Sequence, residues 1–155
     1  MGRFKKISIA ILIILLGIQF IQPARDNDDA QALSTDISRI YSVPLNAQSI
    51  LKASCYDCHS NYTSYPWYSY VQPVGWILEK HIRDGKEELN FSDFGTFSVR
   101  RQVSKLRSIK NSIQEGSMPL SSYSMMHKNA RMTEHQKAII IAWAKRISDS
   151  LTTKH

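Results

Sequence analysis

Cysteine is scarce in this 155-residue chain: Cys55 and Cys58 are the only two, and both lie in SCYDCHSNY, residues 54–62. A disulfide across two intervening residues would close a loop too small to stabilise much. No second Cys or His pair accompanies them. His81, His127, His135 and His155 are scattered, which argues against a four-ligand zinc site. No stretch alternates as a strand does, so a thioredoxin-like dithiol has no strand-to-helix turn to occupy. The sequence also lacks internal repeats and low-complexity tracts, and no acid precedes Asp26.

The missing acids belong to a distinctive start. Arg3, Lys5 and Lys6 precede an apolar run from Ile7 to Ile21, polar only at Ser8 and Gln19. A basic start followed by an apolar run is an export signal or a signal anchor. The run is slightly short of the roughly 20 residues of a comfortable span, and no clean A-x-A site follows it. An uncleaved anchor is the expectation, with a cleaved signal peptide as the alternative. Either places the remainder on the periplasmic side of a bacterial inner membrane. Four of the 20 Lys and Arg precede Asp26, so the net charge of +7 falls to +3 over the rest. That is too mild to indicate nucleic acid.

The remaining segments read as helices joined by loops. ARDNDDAQALSTD is a polar tether. A helical turn is expected near Ile37 to Tyr41, then a break at Pro44. NAQSILKASCYDCH predicts a short helix capped by Asn46, with the thiols at its end. VGWILEKHIRDG predicts a second helix stopped by Gly85, and Ser98 to Gln114 a third, stopped by Gly116. SMPLSSYSMMHKNARM reads as irregular. The last helix opens at Thr133 with Gln136 three residues on, a capping box, and carries Ile139, Ile140, Trp143 and Ile147 as its apolar stripe. The expected fold is all-α, with the helix at Ile50 and Leu51 crossing the one at Ile140 and Trp143. Residues 1–25 form the export segment, 26–45 the tether and 46–150 the domain.

One chemistry uses all three residues of the cysteine motif. C-x-x-C-H is the attachment signature for c-type haem. Both thiols add to haem vinyl groups as thioethers, and His59 becomes the proximal iron ligand. The expected cofactor is one covalent haem c per chain. Met118, in EGSMPL just past a helix stop, is the favoured second ligand, because a soft thioether suits the iron of a small cytochrome. Met125, Met126, His81, His127 or an open position are the alternatives. His81 shares a helical face with Ile77 and Leu78, where histidines are more often packed than metal-bound. His127 and His135 read as surface groups.

Tyr62, Tyr65, Trp67, Tyr68, Tyr70 and Trp76 make the second loop densely aromatic. They either wall the haem or, on the plainer reading, form core. His59 needs an acceptor for its other ring nitrogen, and the carbonyls of Pro66 and Pro73 are candidates. Arg100, Arg101, Lys105, Arg107 and Lys110 are expected to be a solvated face or a dock for an acidic redox partner.

From Gln48 to Trp143 the ordered set CYDCHSN, YPWYSYVQPVGW, EKHIRDGKEELNFSDF, EGSMPLSSYSMMH and RMTEHQKAIIIAW resembles the bacterial haem-binding domain family of small exported cytochrome c-like proteins. The resemblance implies haem on Cys55 and Cys58, ligation by His59 and a distal role for Met118. It departs at Leu120, where the family often has a second proline. The expected function is an electron-carrying cytochrome rather than an enzyme, with peroxidase-like activity left open. A haem sensor or gas-binding module is the alternative.

Overall fold

The computed structural model describes residues 2–25, 27 and 34–153, and every regular element among them is helical. The helices are α1 (Arg3–Ile18), α2 (Ile37–Ile40), α3 (Leu45–Ser54), α4 (Tyr56–His59), α5 (Val74–Glu88), α6 (Val99–Gln114), α7 (Ser121–Met126) and α8 (Glu134–Thr152). Tighter 3-10 turns occupy Trp67–Tyr70, Phe94–Thr96 and Lys128–Ala130.

Several ends follow directly from local chemistry. Asp36 caps α2 by accepting from the Ser38 N–H at 2.8 Å. Ser98 caps α6, and Gly116, at φ +72°, turns the chain after it. Thr133 and Gln136 exchange hydrogen bonds of 2.8 and 3.2 Å, completing the expected capping box. Such caps satisfy backbone N–H groups that have no partner inside the helix.

The core is one cluster. Ile50 and Leu51 of α3 meet Leu106 and Ile113 of α6 and Ile140, Trp143, Ala144 and Ile147 of α8, and Ile37 of α2 closes it with Phe91 and Phe94. The expected crossing of α3 and α8 is present. Each fully buried Ile or Leu contributes roughly 1.5–3 kcal/mol.

Three local expectations need correction. Asn46 does not cap α3; Pro44 holds that position, and the Asn46 side chain turns back to accept from Ala47 N–H. Gly85 does not stop α5, which runs on to Glu88; the glycine answers a close approach described below. The stretch expected to be irregular after Met118 holds α7 and a 3-10 turn. Of the expected tether, residues 26 and 28–33 lie outside the described residues, whereas Asp36 and Ile37 are buried with the domain.

Helix α1 has no buried residue. Among the described residues no helix is long and apolar enough to cross a membrane.

Candidate functional site

Cys55 ends α3 with φ −132° and ψ −42°, and the chain restarts at once as the single turn α4. Cys55 O accepts from the N–H groups of both Cys58 (3.2 Å) and His59 (3.0 Å). Within such a turn, positions i, i+3 and i+4 share a face. The spacing of the motif thus puts two thiols and one imidazole on the same side of one helical turn.

The imidazole is fixed from behind. His59 Nδ1 lies 2.9 Å from Gly85 O and 2.9 Å from Leu89 O. Carbonyl oxygens only accept, so Nδ1 carries the proton, and in the neutral ring that makes Nε2 the free base, the tautomer a metal requires. The expected acceptors, Pro66 and Pro73, are replaced by the end of α5. Gly85 makes this approach possible: a Cβ there would stand 2.6 Å from the backbone oxygen of Cys58. On the other side, Phe91 N–H donates to His59 O at 2.7 Å. The Phe91 ring stacks on Tyr56 at 5.1 Å and tilts against the imidazole at 6.0 Å.

Asp57, between the cysteines, anchors the turn further. Its side chain accepts from Ser64 N–H at 3.0 Å and from the Tyr123 hydroxyl at 2.6 Å, and its carbonyl accepts from the Thr63 hydroxyl at 2.7 Å. Burial foremost, and then the Asp57 carboxylate, hold the Tyr123 hydroxyl well above its usual range. Gly85, Leu89, Phe91 and Tyr123 were not legible as site residues. Their only signal was membership of the resembling stretches, because the roles of Gly85 and Leu89 are played by backbone.

In front of His59 lie two adjoining cavities, of about 270 and 260 Å³. Both are bordered by Ser54, His59, Glu88, Met118 and Pro119; Cys58 and His81 join the first, Cys55 and Met132 the second. Together they reach the range of cofactor sites, ~300–1,000 Å³. Met118 therefore shares both cavities with His59. Met126 borders only a smaller one beside Cys58, and Met125 none of these; both are well exposed. His127 is not a simple surface group. Its Nε2 is hydrogen-bonded to the Tyr68 hydroxyl at 2.5 Å and its ring stacks on Tyr123 at 4.2 Å. His81 does border a cavity with His59. His135 is exposed.

The thiols are not joined to each other. Burial, and then Cys58, push the Cys55 thiol up to about 12; burial, and then Asp57, push Cys58 up to about 11. Dithiol exchange needs the thiolate, and this setting disfavours it. Among the described residues no group of three or more His, Cys, Asp or Glu is placed to hold a metal ion. An apolar recess with two thiols, one oriented imidazole and one thioether fits a porphyrin better than a bare ion.

The aromatic loop is neither core nor cleft wall for the most part. Trp67, Tyr70 and Tyr62 are 76%, 56% and 53% exposed, and only Tyr68 borders one of these cavities. The basic run on α6 is split. Lys105 turns into the cleft and pairs with Glu88 at 2.5 Å, Arg101 covers Phe97, and Arg100 and Arg107 stay outside.

Residues 13–146 match the model of the haem-binding domain family, and this chain belongs to that family. No curated protein and no solved structure matches it. Haem binding is thus the function that family membership and the recess agree on.

Proposed function

We propose that this protein is an exported monohaem c-type cytochrome that carries single electrons and is not an enzyme. The observation that supports it most is the one-turn face of Cys55, Cys58 and His59, opening on cavities that also contain Met118. Haem bound there would supply a ferrous/ferric couple. Cys55 and Cys58 would hold its vinyl edge as thioethers. His59, kept in one tautomer by the Gly85 and Leu89 carbonyls, would present Nε2 to the iron. The Met118 thioether would be the second side chain to hold the iron and would raise the potential. With both side chains engaged there would be no seat for substrate, which favours transfer of electrons over catalysis. The basic start and apolar α1 support export, with α1 retained as the membrane attachment, and an acidic protein is the proposed redox partner.

The test is a spectrum of matured, exported protein, oxidised and reduced, with a pyridine haemochrome assay after acid-acetone extraction. Covalent haem survives extraction, and loss of the signal would end the c-type reading. Carbon monoxide added to the reduced protein should leave the spectrum unchanged, and Met118→Ala should admit it and lower the potential. One observation favours a gas-binding module instead: Met118 is 37% exposed, a loose seat for a ligand. Rapid carbon monoxide binding to the unaltered protein selects that reading.

A further inference from the structure

Among the described residues a long run of exposed apolar side chains lies at the start of the chain. Phe4, Phe20 and Ile21 are 87%, 89% and 61% exposed, and the apolar residues of α1 between them are open as well. The chain does not then lead away from the domain. Gln19 uses both ends of its amide on Gln72, donating to the carbonyl (3.1 Å) and accepting from the N–H (2.9 Å). Gln22 donates to Tyr70 O at 3.2 Å and accepts from the Gln72 side chain at 3.1 Å. Trp76 Nε1 donates to Ile21 O at 2.9 Å. Arg25 donates to Ser69 O at 3.2 Å with its guanidinium 3.7 Å from the centre of the Tyr70 ring. Asn27 exchanges bonds of 3.1 and 2.7 Å with the Thr63 backbone. Residues 19–25 and 27 are a strap, bound along the aromatic loop.

That loop carries its own exposed apolar side chains at the point where the strap crosses it: Trp67, Tyr70, Val71 and Val74. We propose that the strap fixes this face of the loop against the lipid bilayer that takes up α1, with Trp67, Tyr70 and Val71 at headgroup level. This rests on the export and attachment reading above. Two arguments select lipid. First, the apolar part of α1, from Ile7 to Ile18, extends about 18 Å, some 12 Å less than a ~30 Å hydrocarbon core. Phe20, Ile21 and Val71 continue the apolar surface past the helix end, which reduces the mismatch. Second, exposed Trp and Tyr beside an apolar helix match the aromatic belt of membrane interfaces, and the first charge after the apolar run is Arg25, suited to phosphate headgroups, ahead of the acids that begin at Asp26. Val74 also borders the small cavity beside Cys58, so this edge of the haem cleft would open near the membrane surface.

The test uses the full-length matured haemoprotein in vesicles of phosphatidylcholine and phosphatidylglycerol. Flotation reports attachment; hydroxyl-radical labelling of Trp67 and Tyr70 reports the face. The expected result is flotation, with labelling several-fold slower than in a Gln19→Ala, Gln22→Ala variant that floats equally and keeps its haem spectrum. Equal labelling in the two floating proteins overturns the docked face and leaves attachment standing. Matured protein that has lost α1 and does not float overturns both.

Discussion

The α3–α6–α8 side and the α4–α5 side of this domain are held together differently. On the first, Leu51, Leu106, Ile140 and Ala144 are all within 1% of full burial and interlock without polar partners. On the second, much of what is buried is polar: Ser60, Thr63, Ser69, Gln72, Asn90 and Ser92. Ser60 bonds the carbonyls of Tyr56 and Tyr62, and Asn90 reaches Asn61 at 2.6 Å. Both of the cavities in front of His59 abut this side. Apolar burial is non-directional, whereas hydrogen bonds fix orientation at modest net stability. The first side supplies the free energy of folding; the second spends its contacts on aiming one imidazole.

The strongest way to break that contrast is to remove what the second side is built to hold. Cys55→Ala with Cys58→Ala should abolish covalent haem completely, read as loss of the porphyrin mass from intact exported protein. Circular dichroism should keep the helix signal of α6 and α8 while the α4–α5 side loosens. A cooperative collapse of all helices would show that the two sides are not separable.

Next in size is Gly85→Ala. The added methyl would meet the Cys58 carbonyl at 2.6 Å, a backbone atom that cannot rotate away. Overpacking of this kind costs about 1–3 kcal/mol, and the upper half of that range is expected in urea unfolding of the haemoprotein. Gly17→Ala, with no atom within 4 Å, serves as the control and should cost nothing measurable. A cost for Gly85→Ala as small as the control's would mean that α5 does not press on the cysteine turn.

The contrast also explains what could be read from the sequence. The core side was legible because its rules are periodic: Leu106 with Ile113, Ile140 with Trp143 and Ile147, and the Thr133 capping box all follow from spacing and cap chemistry. The cysteine turn was legible because its three functional groups are adjacent in the chain. Its supports were not, since Gly85 and Leu89 act through backbone atoms that any sequence possesses. Glycine near a helix end reads as a stop, and nothing local distinguishes that from a glycine required by a neighbouring turn. The aromatic loop misled for a related reason: composition counts rings but does not say which way they face.

On the core side, Thr133→Ala should remove the cap and cost about 1 kcal/mol. The loss should be the same in haem-loaded and haem-free protein, because the cap bond lies within the first turn of α8 and Thr133 itself borders neither cavity. A loss appearing only in the loaded form would tie the start of α8 to the cofactor and blur the division.

The smallest effect concerns the seam between the sides. Lys105 reaches from α6 to Glu88 on α5 with its side chain 16% exposed, while that of Glu88 is 73% exposed. The Lys105 ammonium holds the Glu88 carboxyl below the usual carboxylate range, but water screens an exposed partner and such pairs contribute at most about 1 kcal/mol. Lys105→Met keeps the apolar stem that borders the cavity and deletes only the charge. Stability should fall by less than about 1 kcal/mol, and salt should erase most of the difference from the unaltered protein. A larger, salt-independent loss would mean that Lys105 is structural at the cleft rather than a screened ion pair. In that case the seam, like the cysteine turn, would depend on directed polar contacts.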